Sequence, residues 1–261
     1  MTTSRTGPGP VPVRRPRPTP RPAAGPVPEL DYYLVCPRQP DAGWNGYGGP
    51  VEGIVVEEFR FDADHTVRRI DSAAWTPGEV GWWTAPDLSR RLRTDPALRG
   101  RVVGAARPDV AAVYHRLGGG TLPDEDTLRG RLAEGEPRRV APPLVLNPTP
   151  VAPGGQATRT YRVLFAHELT PDGLARLADE WRMVRPAATR STGVLGTAHR
   201  RVGADTFRWE LRRIGSVGAY CLDVTVDLAT GRDGTVRPVL RELTTSLRRQ
   251  GLVPVTVERF C

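Results

Sequence analysis

The last hundred residues carry the clearest pattern of hydrophobic and polar positions. Every second residue is apolar within 218–228, which is the period of a half-buried strand. Apolar residues recur at the spacing of one helix face within 171–181 and again within 236–247. With strands before, between and after these helices, the order from 159 to 261 is β-α-β-β-β-α-β. This order predicts a ferredoxin-like α/β sandwich module with one added strand.

The first folded region is predicted to run from 30 to 136 and has a different order. Strand-type runs at Leu30–Cys36, 51–61 and 66–70 come first, and the last two flank an acidic turn that favours a hairpin. From residue 84 onward the apolar spacing, with Pro and Asp at start positions, indicates helices. A region of strands and then helices is α+β, so the chain as a whole is expected to be of mixed α+β class.

Two segments rich in Pro surround these regions. Residues 1–29 are dense in Pro and Arg, and Pro lacks a backbone N–H and restricts φ. We therefore expect a disordered, partly polyproline-II tail. Residues 137–158 are dense in Pro and Gly and are predicted to link the region 30–136 to the module 159–261.

The composition excludes several classes of protein. All 37 Lys and Arg positions are Arg, whereas a Walker-type phosphate loop, a protein kinase and a pyridoxal enzyme each require a Lys. Cys36, Cys221 and Cys261 form no C-x-x-C pair, which argues against a zinc ribbon and a disulfide framework. No apolar run is long enough to span a bilayer. The sequence therefore predicts a soluble, cytoplasmic protein without membrane contact.

No familiar catalytic, metal or cofactor motif is recognisable. The four histidines are far apart and outside the spacings of metal ligands. The segment around Ser216 does not match the G-x-S-x-G motif of a hydrolase nucleophile elbow, because Ile214 stands where the motif has its first Gly. We therefore expect neither a metal nor a cofactor. His167 is kept as a candidate because it follows the first strand of the C-terminal module, a common location for function in α/β folds.

A group of carboxylates is predicted to share one face of the C-terminal sheet. Asp223 and Asp227 lie four residues apart on one strand, and Glu210 lies on a neighbouring strand. Nucleotidyl transferases hold divalent ions with acids on such a sheet. Arg208 and Arg212 are predicted on the same face, however, so simple cross-strand ion pairs account for the pattern.

A Gly-rich loop with interleaved aromatic residues spans Trp44–Gly49. Aromatic side chains between glycines can line a pocket and let a ligand approach the backbone. The candidate pocket residues of the chain are therefore Trp44, Tyr47, His167, Glu210 and Asp223. Three tryptophans either join this loop or cover the N-terminal sheet, and the covering role is favoured: Trp75, Trp82 and Trp83.

Positive charge is concentrated at the two ends of the chain. Residues 1–30 hold 5 Arg and 1 acidic residue. Residues 31–140 hold 15 Arg and 17 acidic residues, and residues 141–261 hold 17 Arg and 11 acidic residues. Guanidinium groups bind phosphate and carboxylate with two parallel hydrogen bonds. The candidate contacts to an anionic partner are Arg14, Arg15, Arg17, Arg21, Arg200, Arg201, Arg208, Arg212 and Arg213.

These observations predict a non-enzymatic accessory or regulatory protein that binds a protein partner, with the basic tail contacting an acidic surface. Nucleic-acid binding through Arg–phosphate contacts is the first alternative, although no helix-turn-helix, zinc finger or RNA-stacking aromatic pair is recognisable. The second alternative is an enzyme with an unfamiliar site on the C-terminal sheet face or at Trp44–Gly49.

Overall fold

The computed structural model describes residues 30–38, 49–132, 157–186, 193–215 and 218–260. The predicted tail 1–29, the candidates Trp44 and Tyr47, and most of the predicted linker 137–158 lie outside these ranges. Within them the chain forms two antiparallel sheets and six helices, which confirms the mixed α+β class. None of the helices in these ranges is long and apolar enough to cross a lipid bilayer.

The first sheet has five strands, and all neighbouring strands run antiparallel. They are β1 (Asp31–Val35), β2 (Gly53–Phe61), β3 (Val67–Trp75), β4 (Trp83–Thr84) and β5 (Val102–Ala105). Their order across the sheet is β4-β3-β2-β1-β5. The first four strands therefore form a meander, and β5 is added beside β1.

Helices cover both faces of this sheet. They are α1 (Pro86–Thr94), α2 (Pro96–Arg99), α3 (Arg107–Arg116) and α4 (Glu125–Arg129). On one face Leu92 of α1 packs with Val55 of β2. On the other face Val110 and Tyr114 of α3 pack with Val56. Because β2 is buried on both sides, its first four residues, 53–56, are consecutive and apolar instead of alternating, and the two glutamates that follow are buried as well.

The position of β5 corrects the sequence prediction for this region. The sequence predicts helices after residue 84, whereas β5 lies between α2 and α3. Its partner is β1, and the paired residues include Val35 with Val102. A strand of four residues is too short to show alternation, and its pairing depends on a partner that is distant in sequence.

The second sheet also has five antiparallel strands. They are β6 (Ala157–Ala166), β7 (Val194–Val202), β8 (Asp205–Ile214), β9 (Ala219–Leu228) and β10 (Val253–Arg259), in the order β10-β6-β9-β8-β7. The helices α5 (Pro171–Trp181) and α6 (Val236–Arg249) pack on one face, where Leu177 and Leu243 contact the apolar side chains of the strands. The apolar stripes read from the sequence are the buried faces of these helices.

The two sheets are joined by a shared core along α6 and β10. Phe59 and Ile70 of the first sheet belong to the same hydrophobic cluster as Leu240 of α6 and Val257 of β10. Arg248 of α6 is buried and donates a hydrogen bond to the carboxylate of Asp31 on β1 at 2.6 Å. Packing, and not only the chain between them, therefore connects the two regions.

Candidate functional site

The face of the second sheet that points away from α5 and α6 carries most of the polar residues singled out in the sequence. Strand alternation places the apolar residues of β8 and β9 under the helices and their polar neighbours on the opposite side. We call this side the open face, and its central residues are Thr158, Thr160, Arg162, Arg208, Glu210, Arg212, Asp223, Thr225 and Asp227. The structure thus brings the candidates Glu210 and Asp223 together.

Glu210 and Asp223 are directly opposite each other on β8 and β9. Each is held by a guanidinium group. Asp223 accepts two hydrogen bonds from Arg162, at 2.6 Å from Nε and 2.8 Å from Nη2, and Glu210 accepts one from Nε of Arg212. The hydrogen bonds to Asp223 also raise the pKa of Arg162. Both carboxylates are therefore engaged in ion pairs with neighbouring arginines.

Asp227 extends this arrangement along the open face. Its Oδ2 accepts a hydrogen bond from Nη2 of Arg208 at 2.7 Å, and its Oδ1 accepts one from the hydroxyl of Thr158 at 2.8 Å. Arg162 also stacks on the ring of Phe260, with 4.8 Å between the guanidinium carbon and the ring centroid. The open face is therefore a mixed-charge surface of ion pairs, as the predicted cross-strand pairing implies.

The five candidate arginines of the C-terminal module do not form one surface. Arg200 lies on the helix side of β7, where it makes a two-point ion pair with Glu242 at 2.6 and 2.8 Å. Arg213 contacts Glu168 at 3.5 Å. Arg201 is exposed, and no ion pair to it occurs within the described ranges. The positive charge offered to a phosphate backbone is therefore smaller than the sequence count suggests.

His167 lies beyond the end of β6, away from this group of ion pairs. Its backbone is in the left-handed region, with φ of 91°. Burial, together with the nearby Arg99, lowers the pKa of its imidazole. The adjacent Glu168 accepts hydrogen bonds from the backbone N–H of Gly218 at 3.0 Å and from the hydroxyl of Tyr220 at 3.1 Å. Glu168 therefore links the end of β6 to the start of β9 through these two hydrogen bonds.

A groove with a volume of about 960 Å³ adjoins the open face. Glu210 and Asp223 contribute to its lining, and so do residues from both sides of the edge strand β7, such as His199 and Arg200. Trp209 also lines it; this side chain is 5 % exposed and its indole N–H has no hydrogen-bond partner within the described ranges. Nε of Arg200 is likewise buried without a hydrogen-bond partner in these ranges, so the groove offers two buried donors beside charged pairs.

Nucleophilic and metal-binding groups are not assembled in the part of the chain that the structure describes. Cys36 and Cys221 are buried free cysteines, and burial raises the pKa of both thiols, which keeps them protonated. No group of three or more His, Cys, Asp or Glu side chains in the described ranges could hold a metal ion.

The tryptophans of the first region divide into a covered and an exposed group. Trp75 and Trp82 pack against Tyr114 with centroid distances of 4.6 and 5.8 Å. Trp83, on the two-residue edge strand β4, is 40 % exposed, and Val80 before it is fully exposed. We call Val80 and Trp83 the aromatic edge. The sequence favoured a covering role for Trp83, but this side chain is exposed, whereas its neighbour Trp82 packs against Tyr114.

A row of arginines on α6 was not among the residues predicted from the sequence. Arg237, Arg241 and Arg248 face the first sheet, where they contact Phe61, Asp31 and Tyr33. Their spacing of i, i+4 and i+11 places them on one side of a helix, and this spacing is the signal that could have identified them.

Comparisons with protein-family models, with curated proteins and with solved structures find no match for this chain.

Proposed function

We propose that this chain is a non-enzymatic interaction protein whose folded part binds a protein partner and whose Arg-rich residues 1–29 attract an acidic surface of that partner. The observation that carries the proposal is the pairing on the open face. Asp223 and Glu210, the carboxylates placed best for chemistry, are bound to Arg162 and Arg212. A carboxylate whose oxygens accept hydrogen bonds from a neighbouring guanidinium group is occupied by that contact and is less available to a substrate or a metal ion.

The aromatic edge supports a protein partner. Exposed Trp side chains are enriched among the anchors of protein interfaces, because they bury a large area at a small cost in conformational entropy. Trp83 is exposed beside the covered Trp82, and Val80, three residues before Trp83, is exposed as well. A two-residue edge strand also offers few backbone groups for unwanted strand pairing, so a partner would be recognised through side chains.

The residues 1–29 supply the electrostatic part of the proposal. They contain five arginines and a single acidic residue, Glu29. Salt screens contacts between exposed charges, so attraction through this segment should weaken strongly with ionic strength.

We also infer a fold type and a compartment. The order β10-β6-β9-β8-β7 with two helices on one face supports a ferredoxin-like module in which β7 is the added strand. The free thiols of Cys36 and Cys221 support a reducing, cytoplasmic setting.

The proposal is tested with the full chain and two acidic probes, a polyglutamate peptide and a short double-stranded DNA. Binding is followed by fluorescence anisotropy at about 50 mM and about 200 mM salt. A tail variant replaces Arg14, Arg15, Arg17 and Arg21 with Gln. The control variant replaces the same number of exposed arginines of the folded part with Gln: Arg68, Arg90, Arg91 and Arg131.

We expect binding of polyglutamate that weakens with salt, is lost in the tail variant and persists in the control. No binding by the parent, or equal binding by both variants, overturns the proposed role of the tail. Tighter binding of DNA than of polyglutamate, with a steep dependence on salt, replaces the proposal by the nucleic-acid alternative.

A further inference from the structure

The groove beside the open face runs along the outer edge of β7. Its lining includes four consecutive residues of this strand, 197–200. Side chains of consecutive strand residues point to opposite faces of a sheet. A cavity that touches four in a row therefore reaches both faces, which places it along the edge of the strand. β7 is the last strand of the second sheet, and β8 is its only neighbouring strand within the described ranges.

The chain itself pairs an extended segment with this edge. Val184 and Thr197 form an isolated antiparallel bridge. The N–H of Val184 donates to the carbonyl of Thr197 at 2.8 Å, and the N–H of Thr197 donates to the carbonyl of Val184 at 3.0 Å. The residues before Val184 form the C-terminal end of α5, where Arg182 has a left-handed backbone with φ of 51°. This segment therefore uses only the first part of the edge.

Two further residues of β7 direct their backbone groups to the same side. Hydrogen bonds alternate along an antiparallel strand, so the groups of every second residue point away from β8. Thr197 bonds outward to Val184, and the pairing of β7 with β8 is regular over 196–202. The N–H and C=O groups of His199 and Arg201 therefore also point outward, and no strand in the described part of the chain pairs with them.

The two walls of the groove differ in chemistry. The wall on the helix side includes the apolar residues Trp181, Ala198 and Leu243. The wall on the open side includes polar residues such as Thr197 and Glu210. An extended segment that lies along the edge directs its side chains alternately to these two walls.

Two buried donors of the groove favour an occupant that carries acceptors. The indole N–H of Trp209 and Nε of Arg200 both line the groove and have no hydrogen-bond partner in the ranges that the structure describes. A buried donor without a partner costs free energy, which an acceptor recovers. Every residue of a peptide brings one such acceptor in its carbonyl group.

We propose that an extended segment of a partner protein binds along β7 as an additional antiparallel strand. Main-chain hydrogen bonds to His199 and Arg201 supply affinity, and alternate side chains supply specificity. The segment carries apolar residues toward the helix side and polar residues toward the open side. An acidic residue is favoured beside Arg201, which is exposed and has no ion pair within the described ranges. This inference rests on the proposed protein partner and names where on the folded part that partner binds.

The probe is a fluorescein-labelled peptide in which valine alternates with threonine or glutamate, and its binding to the full chain is measured by fluorescence anisotropy. The test variant is His199→Pro, which removes an outward N–H and no hydrogen bond to β8. Pro is tolerated at a sheet edge when its missing N–H faces outward. The matched control is His199→Ala, which keeps this N–H.

A second test uses the parent protein and two N-methylated forms of the peptide. In the proposed pairing, the peptide residues opposite His199 and Arg201 have side chains on the open side and amides that face β7. One form is therefore methylated at the threonines and glutamates, and the other at the valines, whose amides point away from β7. Because this test needs no protein variant, it decides the question even where His199→Pro fails to fold.

We expect saturable binding that is weakened roughly tenfold in His199→Pro, the loss of about one hydrogen bond, and unchanged in His199→Ala. Methylation at the threonines and glutamates should abolish binding, and methylation at the valines should preserve it. Absence of saturable binding, or equal effects of the two methylation patterns, overturns the proposal. A dimer of the full chain in sedimentation experiments that is lost in His199→Pro replaces the partner segment by a second copy of β7.

The tail variant, in which four arginines of residues 1–29 are replaced with Gln, separates this inference from the proposed function. We expect it to bind the strand peptide as the parent does. Loss of strand-peptide binding in the tail variant attributes this binding to residues 1–29 and overturns strand addition. If the parent binds polyglutamate but not the strand peptide, strand addition fails and the proposed role of the tail stands.

Discussion

Arg93 of α1 and Glu57 of β2 form a buried two-point ion pair, with 2.8 Å between Nη1 and Oε1 and 2.7 Å between Nη2 and Oε2. Their side chains are 5 % and 0 % exposed. Ser89 donates a further hydrogen bond to Glu57 at 2.5 Å, and Nε of Arg93 donates to the carbonyl of Pro254 on β10 at 2.9 Å. The pair therefore connects a helix and a strand of the first sheet to an edge of the second.

Removal of one member of this pair should be strongly destabilising. In Arg93→Met the carboxylate of Glu57 remains buried without its cation, and we expect a loss of about 3–5 kcal/mol in the free energy of unfolding. Urea denaturation followed by circular dichroism measures the change. The control is Arg91→Gln, which breaks the exposed pair with Asp95 and should change the free energy of unfolding far less, because solvent screens that pair. Equal losses of stability in the two variants would contradict the conclusion that Arg93 and Glu57 form a buried ion pair on which the fold depends.

The close approach of β5 to α6 can be tested with a single methyl group. A Cβ added at Gly104 would lie 2.8 Å from the carbonyl oxygen of Arg248. We expect Gly104→Ala to displace the end of α6 and to destabilise the fold by about 1–3 kcal/mol, the usual cost of overpacking. The comparison variant is Gly234→Ala, because nothing lies within 4 Å of a Cβ at that position. A thermal melt of Gly104→Ala like that of Gly234→Ala would refute this contact.

Two histidines should make stability depend on pH. Burial lowers the pKa of His167 and of His65 in the folded chain. The unfolded chain, with histidine pKa values near 6.5, therefore binds protons that the folded chain does not. The stability that these two histidines contribute is fully present above about pH 6.5 and is lost as the pH falls through the pKa values that they have in the folded chain. The free energy of unfolding should therefore decrease from about pH 7 to about pH 5.

The variant His167→Asn isolates one of these groups. Asn tolerates the left-handed backbone at this position, so strain should stay small. We expect a weaker loss of stability between about pH 7 and about pH 5 than in the parent. His115→Asn, at an exposed position of α3, is the control and should keep the parent's slope. An unchanged slope in His167→Asn would show that its protonation is not coupled to folding.

The ion pairs of the open face also predict the response to divalent ions. Both oxygens of Asp223 are occupied by Arg162, so we expect Mg²⁺ and Mn²⁺ to leave the melting temperature unchanged. Asp223→Asn breaks a partly exposed pair and should cost at most about 1 kcal/mol. Stabilisation of the parent by either ion, lost in Asp223→Asn, would instead support an enzyme with a metal site on this face.

Local periodicity predicted much of the second region. The alternation within 218–228 identified β9, and the apolar stripes identified α5 and α6. The same alternation placed Asp223 and Glu210 on one face. It could not assign Arg162 as the partner of Asp223, because that contact depends on the register between β6 and β9.

Local patterns in the sequence specify which segments form strands and helices in the second region, which chemistries a chain without Lys excludes, and where Arg is dense. Those properties follow from side-chain identity and from neighbours close in the chain. Which charges are neutralised depends on contacts between residues far apart in the chain. The contact of Arg248 with Asp31 spans 217 positions along the chain, and a charge has a defined environment only after folding has brought such distant partners together and excluded water between them.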